Sequence, residues 1–314
     1  MKALIGHTGF VGSNIASQAN FEKCYNSKNI HEIENSKFDL VVCAGVSAVK
    51  WYANKHPEED LERINSLIAH LKTVKAKRFV LISTIDVYED PVGVTEDTFP
   101  IVEQQDAYGQ NRYYLEKWVA SYFDTHHIIR LPALFGTGLK KNFIYDMLTI
   151  IPSIIVPQKW EELRVNMPEH LFQTLSSAYT VGTNDNFVFD QSIDTQKRKE
   201  IKSGLEAYGF TSLNFTDNRS VFPYYDMKNI WKDIEKTIEE NLSLINLSVE
   251  PLSCDLVAKE VFNKTFSNQL TSKTPLYYDM KSKHAHLWGG EEGYLYSKAQ
   301  TLEGLKVYVQ SCSE

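Results

Sequence analysis

Short apolar runs alternate with amphipathic stretches through the first 135 residues, and that rhythm predicts the elements. Lys2–Ile5, Glu22–Asn26, Asp39–Ala44, Arg78–Ser83 and His127–Leu131 read as strands, short and rich in apolar or β-branched residues. Between Ala44 and Arg78, Pro57 opens the helical stretch PEEDLERINSLIAHLKTVKAK. Its first turn holds Glu58, Glu59 and Asp60, and its end holds Lys72, Lys75 and Lys77, so the charges suit the helix dipole. The run Asp106–Val119 reads as a further helix. Strands alternating with helices imply a doubly wound parallel sheet of the Rossmann type, an α/β fold with right-handed crossovers. After Gly136 the rhythm changes. Residues 157–222 are polar and poor in buried-strand runs, so they do not extend the sheet; a surface insertion, a lid or an oligomer contact is expected there. FPYYDMKNIWKDIEKTIEENL then reads as a helix entry, and INLSVEPLSCDLVAKEVFNKTF as strand, turn and helix. The predicted layout is a first domain over 1–136 and a smaller C-terminal α/β lobe over 137–314, partly interleaved with the first.

Composition narrows the class. Hydrophobic residues make up 43% of the 314, enough for a packed core. The longest apolar runs, Phe79–Ile82 and Ile150–Val156, fall well short of the ~20 residues of a membrane span. MKALIGHTGF lacks the long apolar stretch of a secretory signal, so no membrane partner and a cytoplasmic location are expected. With 33 basic and 40 acidic side chains and the basic ones scattered, nonspecific binding to nucleic acid is not expected. Cys24, Cys43, Cys254 and Cys312 form no CxxC pair and have no clustered histidines, so they read as buried or incidental thiols. His126 and His127, and His284 and His286 of HAHLWGG, have no carboxylate at ligand spacing; strand-start and turn roles are expected, with no metal.

The chemistry begins at Gly6-His7-Thr8-Gly9-Phe10-Val11-Gly12, between a strand and a helix. In that context Gly6 permits a tight turn, Gly9 lets backbone N–H groups approach a pyrophosphate, and Gly12 lets helix pack closely on strand. Gly6, Gly9, Phe10, Val11 and Gly12 are therefore candidate cofactor contacts. A carboxylate at the end of the second strand would hold a ribose 2′-OH, but that end reads Asn26-Ser27-Lys28. Lys28 could instead meet a 2′-phosphate, which favours NADP; NAD stays open through Glu32 or Glu34. Downstream, Tyr108 and Arg112 stand four apart on one helix face. A phenol is a poor acid or base at neutral pH unless a fixed cation stabilises its phenolate, and the cation at i+4 supplies that field. Tyr113 and Lys117 repeat the spacing in a second register. Ser83-Thr84-Ile85-Asp86 places hydroxyls at the C-terminal edge of the sheet, where ligands bind in such folds.

GHTGFVG, VVCAG followed by SAVKWYANKHPEEDLERIN, then STIDVY, YGQNR and RLPALFG resemble, in order and spacing, the extended short-chain dehydrogenase/reductase superfamily of sugar-nucleotide epimerases, dehydratases and reductases. The resemblance covers residues 1 to about 145. The short stretch between Gly12 and Asp39 is most similar to the dTDP-4-dehydrorhamnose reductase group. The resemblance implies that Ala44 and Gly45 lie beside the adenosine ribose, that Thr84 is the catalytic Ser/Thr and that Tyr108 is the catalytic tyrosine. Gly109 and Glu116 fit the family pattern only in the Tyr108 register. Arg112 departs from it, standing where the family has the lysine of YxxxK; it keeps the charge but cannot give up a proton. It is expected to lower the Tyr108 pKa and to orient the nicotinamide ribose. Sugar-nucleotide dehydratases have Thr-Asp-Glu where this chain has Thr84-Ile85-Asp86, and an isoleucine cannot protonate a leaving hydroxyl, so dehydration is disfavoured. What remains is NAD(P)-dependent hydride chemistry on a nucleotide-activated sugar, by ketoreduction or epimerisation, of the kind used in polysaccharide biosynthesis. Asn142, with Lys140 or Lys141 beside it, and Arg219 are the candidate substrate contacts, and a homodimer is compatible with the layout. Arg112 motivates one alternative, a catalytically silent NAD(P)-binding sensor or partner subunit. Reduction of a small nonsugar carbonyl is another.

Overall fold

The computed structural model describes residues 1–182, 185–271 and 273–312. Two compact units are distinguished, and the chain passes between them several times. The first comprises Met1–Gly138, Val221–Leu252 and Tyr277–Tyr308. Its centre is a six-stranded sheet of β1 (Lys2–Ile5), β2 (Lys23–Tyr25), β3 (Leu40–Cys43), β4 (Phe79–Thr84), β5 (His126–Leu131) and β6 (Leu244–Asn246). The strand order is β6-β5-β4-β3-β1-β2, with every pairing parallel. This is the doubly wound α/β arrangement that the alternating pattern implies. Each strand differs from its sequence-based span by no more than its terminal residues. Helices α1 (Phe10–Ala16), α2 (Lys50–Lys55), α3 (Pro57–Leu71), α4 (Ala107–Tyr122) and α5 (Ile230–Glu239) complete the frame.

Alternation along the strands divides the core into two layers, because successive side chains leave opposite faces. On one face Ala3, Ile5, Val41, Cys43, Phe79 and Leu81 pack with Ile64, Ile68 and Leu71 of α3 and Leu115 and Val119 of α4. On the other, Leu4, Val42, Val80 and Ile129 pack with Ile15 of α1 and Ile230 and Ile234 of α5. The segment read as a helix entry first makes a short strand, Tyr224–Asp226, parallel to Ala133–Phe135, and only then enters α5. The contacts thus assign Val221–Leu252 and Tyr277–Tyr308 to the first unit, although the sequence reading drew its boundary at residue 136.

The second unit comprises Leu139–Ser220, Ser253–Leu276 and Val309–Glu314. Residues 157–222 leave the central sheet alone, as expected. Within this unit they build a core rather than a plain surface insertion: Trp160, Leu163, Met167, Leu175, Tyr179, Phe189, Ile201 and Leu205 are buried together. Ile154–Ile155, Phe187–Phe189 and Tyr179–Val181 form a small antiparallel sheet. Trp160 stacks on Phe187 with centroids 3.9 Å apart. Beside this core, burial pushes the Asp146 carboxyl up to about 7, a hydrogen bond from Ser212 opposing it.

Because the native pKa of Asp146 exceeds the unfolded one, the folded chain holds this proton across the interval between them. Its contribution to stability is therefore greatest in acid and is lost as pH rises from about 4 to 7. Asp146→Asn should stabilise the protein at pH 8 relative to wild type and lose that advantage near pH 4. Denaturant titrations of both proteins across that range check this; a pH-independent difference would show that Asp146 is solvated.

Candidate active site

The C-terminal ends of β1, β3 and β4 share one edge of the sheet, and the strand order reverses between β1 and β3. The loop after β1 is closed by glycines. Gly6 has a φ of +86°, and a Cβ there would lie 2.3 Å from the Ala44 carbonyl oxygen. A Cβ on Gly12 would lie 2.0 Å from the Gly6 oxygen. The turn therefore forms only with glycine at both positions. A Cβ on Gly9 would meet nothing nearer than the Gly6 oxygen, at 3.4 Å, so the protein's own packing does not demand this glycine; close approach of a ligand is the physical reason left for it. Gly9 stands at the N-cap of α1 and offers no side-chain cap, and Phe10, Val11 and Gly12 form the first turn behind it. Ala44 and Gly45, leaving β3, form the opposite wall. Such a cradle fits a dinucleotide pyrophosphate.

At the end of β2 the chain makes a compact Asn26–Asn29 turn, in which the Lys28 N–H donates to Asn26 Oδ1 at 2.9 Å. The Lys28 side chain is exposed, and no carboxylate follows the strand directly. Of the two acids held open for a ribose contact, Glu34 pairs with His70 at 2.7 Å, while the charge of Glu32 bears on Tyr25.

Thr84 ends β4. Its Oγ1 lies 3.3 Å from Asp86 Oδ2 and accepts the Asp86 N–H at 3.2 Å. Asp106 caps α4 by accepting the Gly109 N–H at 2.9 Å. A Cβ on Gly109 would stand 2.2 Å from the Asp86 carbonyl oxygen, so the first turn of α4 rests on the Thr84–Asp86 backbone. That contact brings Tyr108 towards Thr84, whose hydroxyl bears on the phenol and opposes the rise in its pKa. Tyr113, the other register's tyrosine, packs instead against the apolar cluster of Ile85, Val87 and Tyr88.

Arg112 differs from expectation. It is 5% exposed and gives its guanidinium to Asp60, also 5% exposed, through both carboxylate oxygens, and to the Ser47 carbonyl. Its Cζ lies 4.1 Å from the Tyr108 ring centroid, over the ring face. Burial pushes the Tyr108 phenol above its ordinary value and outweighs the Arg112 charge, which acts in the lowering direction expected of it; the Asp86 charge adds to the rise, while the Thr84 hydroxyl and Lys50 oppose it. Asp60, taken from the sequence as a helix-dipole charge, is a buried counter-ion that also accepts from Asn111 at 2.9 Å.

Lys50 was missed because, although it lies in the stretch SAVKWYANKHPEEDLERIN, nothing in its spacing marks it as facing a carboxylate at the site. Its Nζ lies 2.6 Å from Asp86 Oδ1 and 3.2 Å from Asp106 Oδ2. Burial works to lower its pKa, but the Asp86 charge and hydrogen bond outweigh this and hold the ammonium protonated well above the usual lysine range. With Asp86, Gln105, Asp106 and Tyr278 it lines a polar cavity of about 60 Å³.

In the second unit, Asn142 caps the helix Phe143–Thr149, its Oδ1 accepting from Ile144 and Tyr145 N–H at 3.0 and 3.3 Å. Arg219 is 49% exposed and binds Asp217 bidentately at 2.9 and 2.8 Å, beside a groove that Thr271, Lys273 and Thr274 also line. His126 and His127 bond the Phe123 and Leu242 carbonyls, at 2.9 and 2.7 Å. Among the described residues no group of three or more His, Cys, Asp or Glu side chains could hold a metal ion, and no helix is long and apolar enough to cross a membrane.

Residues 24–156 match the model of the NAD dependent epimerase/dehydratase family. No curated protein matches the chain. Among solved structures, a dTDP-4-dehydrorhamnose reductase from Clostridium acetobutylicum ATCC 824 is similar at a TM-score of 0.63 and 16% identity, over 100% of both chains. Another from Bacillus anthracis str. Ames, in complex with NADP, is similar at 0.60 and 15%, over 99% of this chain and 98% of that one. A UDP-N-acetylglucosamine 4-epimerase from Methanobrevibacter ruminantium M1 is similar at 0.62 and 12%, over 98% and 96%. At these identities the likeness speaks for the fold.

Arg112→Met should leave the Asp60 carboxylate buried without its cation and cost about 3–5 kcal/mol of stability. The double variant Asp60→Leu/Arg112→Met should recover most of that. Urea unfolding of the three proteins checks it, and a single-variant loss below about 1 kcal/mol would place the pair among solvated surface bridges.

Proposed function

We propose that this chain, which fits the epimerase/dehydratase family in fold and in motif order, is an NAD(P)-dependent enzyme that reduces or epimerises a nucleotide-activated sugar at a carbinol or ketone carbon. One observation carries the reading: Tyr108 and Thr84 meet at the C-terminal edge of the parallel sheet that also presents the glycine cradle. A bound nicotinamide would supply or take up the hydride. In reduction, Thr84 Oγ1 holds the carbonyl oxygen and Tyr108 Oη gives that oxygen its proton; oxidation runs the same transfer backwards. Ile85 is buried in an apolar cluster and has no proton to offer, so water elimination is disfavoured. Structures of like fold are named as reductases, as epimerases and, in one case, as an NDP-hexosamine 5,6-dehydratase, which supports nicotinamide-dependent chemistry on nucleotide sugars without choosing among them.

Lys28 at the end of β2, together with the engagement of Glu34 by His70, favours NADP, whereas the unengaged Glu32 keeps NAD in view. In the second unit the Arg219 guanidinium is engaged by Asp217 and the Asn142 carbonyl oxygen by a helix cap, so either candidate would exchange that partner for a diphosphate. A second reading is favoured by the Arg112–Asp60 pair, which commits to a buried carboxylate the cation standing where the family pattern has its lysine: a dinucleotide-binding protein without turnover.

NADPH should bind the purified protein and raise its Tm. Lys28→Ala should weaken NADPH about 10- to 100-fold and leave NADH nearly unchanged, as read by fluorescence titration. Equal losses would return the preference to NAD. Tyr108→Phe should bind cofactor normally and lose about 10²- to 10⁴-fold in turnover on a keto-sugar nucleotide, with Tyr113→Phe as the control. Binding without turnover in wild type would establish the second reading.

A further inference from the structure

The chain lacks the lysine that its motif pattern calls for at position 112, and the residue that replaces it is turned to another task. Arg112 bonds Asp60 and the Ser47 carbonyl and lies over the Tyr108 ring face. At the hydroxyl end stands a different series of groups. The Thr84 hydroxyl bears on the phenol, and its Oγ1 lies 3.3 Å from Asp86 Oδ2; Asp86 Oδ1 lies 2.6 Å from Lys50 Nζ. Lys50 follows the loop that leaves β3 at Ala44-Gly45, so it comes from an element other than the tyrosine helix.

We propose that Lys50 is the cation that serves Tyr108, acting through Asp86 and Thr84 in the place of the lysine that Arg112 displaces. This rests on the reading of Tyr108 as the proton donor and names the residue that positions it. The physical case is one of charge. An unpaired Asp86 carboxylate behind Thr84 would oppose a phenolate at Tyr108, since like charges disfavour each other's ionisation. Lys50 cancels that charge at 2.6 Å and brings its own positive charge to the hydroxyl side. The groups facing this centre are Asp86 and Thr84 after β4, Lys50 at the start of α2, Arg112 and Asp106 from α4 and its cap, and Tyr278 from the last segment of the unit. Asp106 holds Lys50 from the other side at 3.2 Å while also capping α4, which fixes the ammonium relative to the tyrosine helix. The cavity of about 60 Å³ has room for water at Lys50, so the ammonium stays charged throughout. Lys50 is thus a positioning residue for the tyrosine and makes no contact of its own with a substrate.

The test places 3,5-difluorotyrosine at position 108 and follows its ionisation by fluorine NMR, fluorination bringing the phenol's titration into a range where the protein is folded. Lys50→Met should raise the midpoint by about one pH unit, Lys50→Arg should leave it near the unsubstituted value, and Asp86→Asn should lower it. Rescue by arginine separates charge from mere packing, which either substitution would disturb. A midpoint that stays put in Lys50→Met overturns the proposal. Should Lys50→Met fail to fold, Lys50→Gln takes its place: a raised midpoint supports the proposal, an unchanged one overturns it. The titration needs no turnover, so an inactive wild type would sink the proposed reaction while this result stood. In an active protein the alkaline limb of kcat/KM moves with the same signs.

Discussion

A buried guanidinium–carboxylate pair holds this site in register. Arg112 and Asp60 are withdrawn from water together, at a desolvation cost that only close, saturated geometry offsets. Both carboxylate oxygens take the guanidinium, one of them also takes Asn111, and Nη2 donates as well to the Ser47 carbonyl. Three parts of the chain are joined at one point: the first turn of α3, the middle of α4, and the loop that continues from Ala44-Gly45. Asp60 also sits in the first turn of α3, at the positive end of the helix dipole. Moving any of the three parts separates charges buried from solvent, so the tyrosine helix cannot shift relative to the cofactor-side loop without breaking the pair.

A second buried pair lies beneath the first. Glu116, two turns along α4 from Tyr108, takes Arg130 of β5 through both oxygens and accepts from Ser83 of β4 at 2.5 Å. Arg130 in turn donates to the Tyr88 hydroxyl at 2.6 Å. Helix α4 is thus pinned to the sheet below Thr84 by Glu116 and to α3 by Arg112, while Gly109 removes the side chain that would hold it away. The association of glycine, arginine and glutamate with Tyr108 in a single register has a mechanical cause: each sets one coordinate of the tyrosine.

Much of the frame was legible beforehand, because it follows from two periodicities and from glycines that sterics impose. Buried β1 and β3 read as short apolar runs, and the turn after β1 announced itself by residues that no Cβ could replace. Tyr108 and Thr84 were named together by the resemblance to the short-chain dehydrogenase/reductase superfamily, whereas the i, i+4 pattern by itself paired Tyr108 with Arg112 and left Tyr113 with Lys117 open. Asp60 and Lys50 were not legible, and the reason is physical. A helix-start aspartate and a loop lysine look solvated until the fold reveals the opposite charge each one faces, and those partners are distant in sequence. The core of the second unit escaped for a related reason: Trp160, Leu163, Ile201 and Leu205 are spaced at helical intervals in a polar background, which dilutes their signal in any run-based reading.

The parallel pairing of β6 with β5 also constrains how the chain is made. Leu244 pairs with Ile128 and Asn246 with Arg130, yet the stretch Leu139–Ser220, most of the second unit, is translated between them. While that stretch leaves the ribosome, β5 is the border of the sheet, with unpaired N–H and C=O groups along Ile128–Arg130. Such a border is a template for any passing strand. At about 10 residues per second the interval is on the order of ten seconds. Ending the chain anywhere before Leu244 would make the open border permanent, so the smallest self-sufficient piece of this protein must reach past Asn246, although the glycine turn, Thr84 and Tyr108 all precede Gly138.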